Sequence, residues 1–234
     1  MRRIFGKTFT VAAVVALLTF SGLKVQAEVV DRIVATVNHH VILQSDLDEA
    51  MRYEAVLNGR ALSEFNDEAR RAVLDRLIDQ ELLAEQMKSA FFQHASQSEA
   101  TARVGEVRKQ YPEAATDEGW QALLGKFRLT EKDLVAHVQQ QMDLMRLVDA
   151  HLRPTVQIDS KSIEAYYRDK FVPQLKQAGA SEVPLADVSG KIRELLTQQK
   201  VNELLVSWLQ TLRSESKVNI PGVGASEGEG VEER

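Results

Sequence analysis

Apolar and polar residues alternate over residues 29–37 (VVDRIVATV), with Ile33, Ala35 and Val37 on one face, and a second short apolar run follows at Val41, Ile42 and Leu43. A period of two is that of strands, so the interval Asn38-His39-His40 predicts a tight turn in an antiparallel pair. Asn38 is the residue there that best tolerates positive φ. Beyond this point the spacing changes to three and four. Ser45-Asp46-Leu47-Asp48 predicts a helix start, with the serine oxygen as cap and the acids at the positive end of the helix dipole. Val73, Leu74, Leu77, Ile78, Leu82, Leu83 and Met87 predict a long amphipathic helix over residues 67–92. Shorter helices are expected from Ser98 to just before Pro112 and over residues 117–126. Thr130-Glu131-Lys132-Asp133 opens another that runs to Leu152, with Leu134, Val138, Met142, Met145, Val148 and Leu152 as its inner stripe. Asp159 or Ser160 caps a helix carrying Ile163, Tyr166 and Tyr167. Residues 173–190, with Gly179, Pro184 and Gly190, predict a broken connection. A last helix is expected over residues 188–212; its apolar phase slips near Gln199, so it should meet two surfaces. A strand over residues 217–220 closes the ordered chain, and residues 221–234 lack periodicity and are expected to be disordered. The fold class is mainly α with a few short strands.

The first 27 residues have a different pattern. Arg2, Arg3 and Lys7 precede an uncharged stretch from Thr8 to Leu23, and Val25-Gln26-Ala27 places small residues at the −3 and −1 positions. This predicts a secretory signal peptide cleaved after Ala27. A membrane span needs about 20 strongly apolar residues, whereas this run is shorter and is diluted by Thr8, Thr10, Thr19, Ser21 and Gly22. Export of a mature chain is therefore expected, with residues 28–220 as one domain.

Composition narrows the function. The 234 residues carry 29 Lys and Arg against 34 Asp and Glu, a net charge of −5. An acidic chain has no bulk attraction for phosphate backbones, which excludes nucleic acid as an expected partner. Without cysteine there are no disulfides, thiolate metal sites or cysteine nucleophiles. No Gly-x-Ser-x-Gly elbow, phosphate loop or His-Glu-x-x-His occurs. His137 and His151 share a helix face but stand roughly 21 Å apart, too far to chelate one ion. Asp133 and His137, four apart, are expected to form a surface ion pair. Neither a metal, a cofactor nor bond chemistry is expected: the chain should bind something and leave it unchanged.

Three stretches together resemble the SurA family of periplasmic chaperones, in particular its helical N-terminal module. The first is Val30-Asp31-Arg32-Ile33-Val34-Ala35-Thr36-Val37-Asn38 leading to Val41-Ile42-Leu43-Gln44-Ser45-Asp46-Leu47. The second is Val73-Leu74-Asp75-Arg76-Leu77-Ile78-Asp79-Gln80-Glu81-Leu82-Leu83. The third is Leu129-Thr130-Glu131-Lys132-Asp133-Leu134, with Arg153-Pro154-Thr155-Val156-Gln157-Ile158-Asp159 and Ile163-Glu164-Ala165-Tyr166-Tyr167 after it. The likeness covers residues 29–167 and resumes over residues 191–202. Family members commonly carry parvulin prolyl-isomerase domains before the closing helix. Here residues 170–190 are far fewer than the roughly 50 of even a small domain. The resemblance therefore implies a periplasmic module without the isomerase, whose partners are unfolded polypeptides such as outer-membrane proteins. A non-catalytic adaptor of an envelope complex is the alternative, and a prolyl isomerase is disfavoured. Holding varied clients calls for adaptable apolar side chains. Met51, Tyr53, Met87, Phe91, Phe92, Met142 and Met145 are the candidates, although the spacing of Met142 and Met145 points to the core. Phe91 and Phe92, adjacent on the expected helix, would point about 100° apart, leaving one hard to bury.

Overall fold

The computed structural model describes residues 31–88 and 91–221. The expected leader, its cleavage position and the acidic tail after Pro221 lie outside those residues. Strands β1 (Ile33–Val37) and β2 (His40–Leu43) pair antiparallel around the expected turn. Strand β3 (Val218–Asn219) arrives from the far end of the chain and pairs with the other edge of β1, giving the order β2-β1-β3. The ladder slips between Ile33 and Ala35. As a result Val34, Ala35 and Val37 are buried while Ile33 is exposed, which corrects the simple alternation expected for this strand.

Asn38 does take positive φ, at 52°. Its amide nitrogen donates to Glu85 Oε2 at 2.7 Å and to Ser216 Oγ at 3.3 Å, and its Oδ1 accepts from the Lys217 N–H at 2.8 Å. One side chain thus joins the hairpin turn to the end of the second helix and to the residues before β3. Asn38→Ala should destabilise the fold by about 2–3 kcal/mol, through left-handed backbone strain and lost hydrogen bonds. Asn38→Gly, which removes only the bonds, should cost about 1 kcal/mol less in urea unfolding.

Helix α1 (Gln44–Asn58) starts one residue before the expected serine cap. Asp46 Oδ2 reaches back to the Leu43 N–H at 2.8 Å, and the Ser45 N–H is taken by Asp31 Oδ1 at 3.2 Å. Helix α2 (Asp67–Met87), capped by Asn66, stops well short of Phe92. Farther on, a later helix makes a set of sideways bonds to the backbone of residues 93–95. Arg146 donates to the Gln93 and His94 carbonyls, Gln139 donates to the Ala95 carbonyl, and the Ala95 N–H donates to Asp143.

Ser96 caps α3 (Gln97–Arg108), with Glu99 returning a bond to the Ser96 N–H. Thr116 and Thr130 cap α4 (Asp117–Lys126) and α5 (Glu131–Leu152), both within the expected bounds. Asp159 caps α6 (Ser160–Tyr166), and a π-helical turn over Tyr167–Phe171 leads into α7 (Val172–Gln177). Helix α8 (Leu185–Glu215) comes after residues 178–184. Residues 173–190 are therefore more helical than expected. Pro173 occupies the first turn of α7, where its missing N–H is not needed, Pro184 is the N-cap of α8, and Gly190 lies inside α8.

The apolar residues gather in three clusters. The first sets the sheet against α1, α2, the second half of α5 and α8, through Val37, Ile42, Met51, Ile78, Leu82, Leu147, Val201 and Leu212. The second surrounds Trp120 with Tyr53, Val56, Val104, Leu124, Leu134 and Val138 from α1, α3, α4 and the first half of α5. The third is small: Ile163 of α6 with Val188 and Ile192 of α8. Helix α8 meets the third cluster with its first turns and the first cluster with the rest, the two surfaces that its phase slip predicted. Arg213 fastens its end to α2 by bonds to Asp79 Oδ1 at 2.7 Å and the Asp75 carbonyl at 3.0 Å. Arg153 fastens the end of α5 to Glu194 of α8 at 2.9 Å.

Candidate functional site

Helix α5 serves two clusters in succession, and the change of partner shapes the surface. Leu134, Val135 and Val138 enter the second cluster, whereas Leu144, Leu147, Val148 and Leu152 enter the first. The buried side of the helix turns between the two sets. Met142 and Met145 fall at the changeover. Met142 is half-buried against the second cluster, and Met145, expected in the core stripe, is 71% exposed. A regular three-four pattern puts a residue inward only while the helix keeps one partner.

Two recesses open on either side of Met145. One, of about 420 Å³, lies among α1, α2, α3 and α5 and is lined by Leu57, Val73, Leu77, Val107, Val138 and Met142, with Glu54, Arg76 and Arg103 as its charged side chains. The Glu54–Arg76 pair bridges α1 and α2 there. The other, of about 350 Å³, lies among α2, α5 and α8 and is lined by Leu83, Leu144, Val148 and Leu205. Its rim is made of amides, Gln80, Gln141, Gln198 and Asn202, with Asp149 as its one charged residue. Gln80, Gln141 and Met145 border both recesses, so the two form one cleft along α2 and α5.

The remaining sequence candidates occupy different places. Met51 is 5% exposed and belongs to the first cluster, so it offers no surface to a partner. Tyr53 is buried too; its ring stacks on His137 at 4.0 Å and its hydroxyl donates to Glu49 Oε1 at 2.9 Å. Burial first, and then that hydrogen bond, push its phenol pKa upward. Met87 and Phe92 are half-buried against the first cluster, and the Phe92 ring lies 4.6 Å from that of His94. Phe91 is fully exposed. The two phenylalanines are separated as expected, but by an irregular segment and not by helical geometry.

His137 does not pair with Asp133, whose carboxylate bonds the Thr130 hydroxyl at 2.6 Å. Stacked on Tyr53, the imidazole is held neutral: burial lowers its pKa to about 4, opposed only in part by nearby Glu49. It accepts a hydrogen bond from Gln141 Nε2 at Nε2, 2.9 Å away. The aliphatic lining and the amide rim are not among the residues that the sequence singles out. The phase turn in α5 is the available signal, because Leu144 and Leu147 break the predicted stripe.

A model of the SurA-like N-terminal domain matches residues 1–148. The chain belongs to that family. No curated protein matches the chain. The SurA-like span includes α1 to α4 and α5 as far as Val148, hence two of the three walls of the amide-rimmed recess. The third wall, from α8, lies beyond it. Membership is that of a chaperone-type family whose domains bind polypeptides in general. Among the described residues no helix is long and apolar enough to cross a membrane. Nor, among them, is any group of three or more His, Asp or Glu placed to hold a metal ion.

Proposed function

We propose that the chain is a periplasmic holdase-type chaperone that keeps non-native polypeptides, unfolded outer-membrane proteins among them, from aggregating by reversible apolar contact in the α2–α5 cleft. Bond chemistry has no part in this reading. The observation that carries it is Met145, a flexible thioether left in solvent where two recesses meet, within a SurA-like module. Apolar area contributes roughly 25 cal/mol per Å² whatever the order of residues in the client, so such a cleft favours breadth over selectivity. The short passage from α6 to α8 through α7 and residues 178–184 supports a role without prolyl isomerisation.

Two measurements test the proposal: suppression of light scattering by a porin diluted from urea, and binding of a peptide with alternating aromatic residues. Met145→Glu places a charge in the cleft and should weaken peptide binding by about tenfold. Because Met145 is exposed, the melting temperature should move by less than about 2 °C. Wild-type protein that leaves scattering unchanged while binding one folded envelope protein would replace the proposal with an adaptor role. Acceleration of a proline-limited refolding step would replace it with catalysis.

A further inference from the structure

Gln80 of α2, Gln141 of α5 and Asn202 of α8 converge on one rim, above the aliphatic floor of Leu83, Leu144 and Leu205. Their hydrogen-bonding states differ in a useful way. The Gln80 side chain makes no hydrogen bond to any described residue. Gln141 commits its nitrogen to His137, leaving its Oε1 as an acceptor. Asn202 commits its Oδ1 to Gln198, leaving its Nδ2 as a donor. The rim therefore presents unused donors and acceptors from three helices. Its one carboxylate, Asp149, lies 3.5 Å from Arg153, a cation that also pairs with Glu194 at 2.9 Å, and no other charged side chain lines the recess beside the amides.

We propose that this recess takes one apolar side chain of an extended polypeptide segment, and that Gln80, Gln141 and Asn202 hydrogen-bond the backbone of the residues flanking it. The proposal rests on the chaperone reading above and names what the cleft recognises. An extended chain presents N–H and C=O groups along its edges at intervals of about 3.4 Å, and in an unfolded client these groups lack protein partners. Primary amides both donate and accept, so they match a peptide group of any residue. Lysine or aspartate in the same positions would instead select by charge. An uncharged trio of amides beside an apolar recess of about 350 Å³ thus fits a neutral, non-native segment, recognised by its backbone and an apolar anchor.

The test uses a fluorescein-labelled peptide with one phenylalanine in a Ser/Gly/Thr background, and a second peptide N-methylated at the two residues flanking that phenylalanine. Anisotropy titrations would be run with wild-type protein and with a Gln80→Leu/Gln141→Leu variant, which lacks the two rim acceptors that a peptide N–H can reach and whose fold is checked by circular dichroism. Methylation should weaken binding to the wild type by about fivefold and to the variant by less than about twofold, the size of one or two lost hydrogen bonds. Raising salt from 0.05 to 0.5 M should change either affinity by less than about twofold. Equal binding of both peptides to the wild type would overturn backbone recognition and leave the chaperone reading standing. Failure of the wild type to bind any peptide, porin-derived ones included, would overturn both.

Discussion

Ile78→Ala should lower the unfolding free energy by about 3–4 kcal/mol, within the range seen when a fully buried aliphatic side chain is cut to a methyl group. Ile78 has no solvent exposure and lies in the first cluster, on the helix that contacts the sheet, α1, α5 and α8 together. Packing on so many sides leaves little freedom for neighbours to close on the void, so both the transfer loss and the cavity loss should be felt. With no disulfide to restrict the unfolded chain, nothing covalent offsets the loss. Urea denaturation at neutral pH measures it, with Met145→Ala as the comparison. That exposed truncation should change stability by less than about 0.5 kcal/mol. Similar losses for the two would mean that Met145 is part of the core, and the cleft would lose its central residue.

The second large effect is a dependence on acid that resides in one ring. Burial lowers the His137 pKa from 6.5 to about 4 in the folded protein, with Glu49 opposing the change. The folded state therefore binds this proton less readily than the unfolded state. The stability associated with a neutral His137 is complete above pH 6.5, declines as pH falls through 6.5 towards 4, and is gone below that. A tenfold difference in proton affinity between the two states is worth about 1.4 kcal/mol, and partial solvent access brings the total to roughly 2 kcal/mol. His137→Phe keeps the stack on Tyr53 and removes the proton site. Between about pH 7 and pH 4 it should lose about 2 kcal/mol less stability than the wild type in paired urea titrations, because carboxylates common to both proteins cancel. Parallel profiles would show that the ring is solvated and contributes nothing to acid sensitivity.

Where the sequence is legible, a local rule is enough. Thr116 and Thr130 are caps whose hydroxyls need only a backbone N–H three residues on, so α4 and α5 begin where expected. Asn38 is predictable because few residues other than glycine accept its backbone conformation. Where legibility fails, a tertiary partner intervenes. The apolar pattern of α2 continues to Phe92, but side chains of α5 hold the backbone of residues 93–95, and no local propensity reveals that. Ser45 falls inside the first helical turn, where its N–H donates to Asp31 just ahead of the hairpin, and the N-cap is Leu43, whose N–H is taken by Asp46. Met145 reads as core because periodicity assumes one partner per helix, and α5 has two. The candidate site shares this origin. Methionine content draws attention to the right helix, yet the recess depends on how α2, α5 and α8 meet, which only the folded chain displays.

The strand order β2-β1-β3 also governs when the molecule can be finished. A ribosome delivers the hairpin about 170 residues before residues 216–219, and over that interval one edge of β1 stays open and Asn38 has neither Ser216 nor Lys217 to bond. The cluster around Trp120 needs nothing beyond Met142 and can consolidate much earlier. Completion thus waits until residues 216–219 are available, and until then the sheet keeps an unzipped edge that other polypeptides could join.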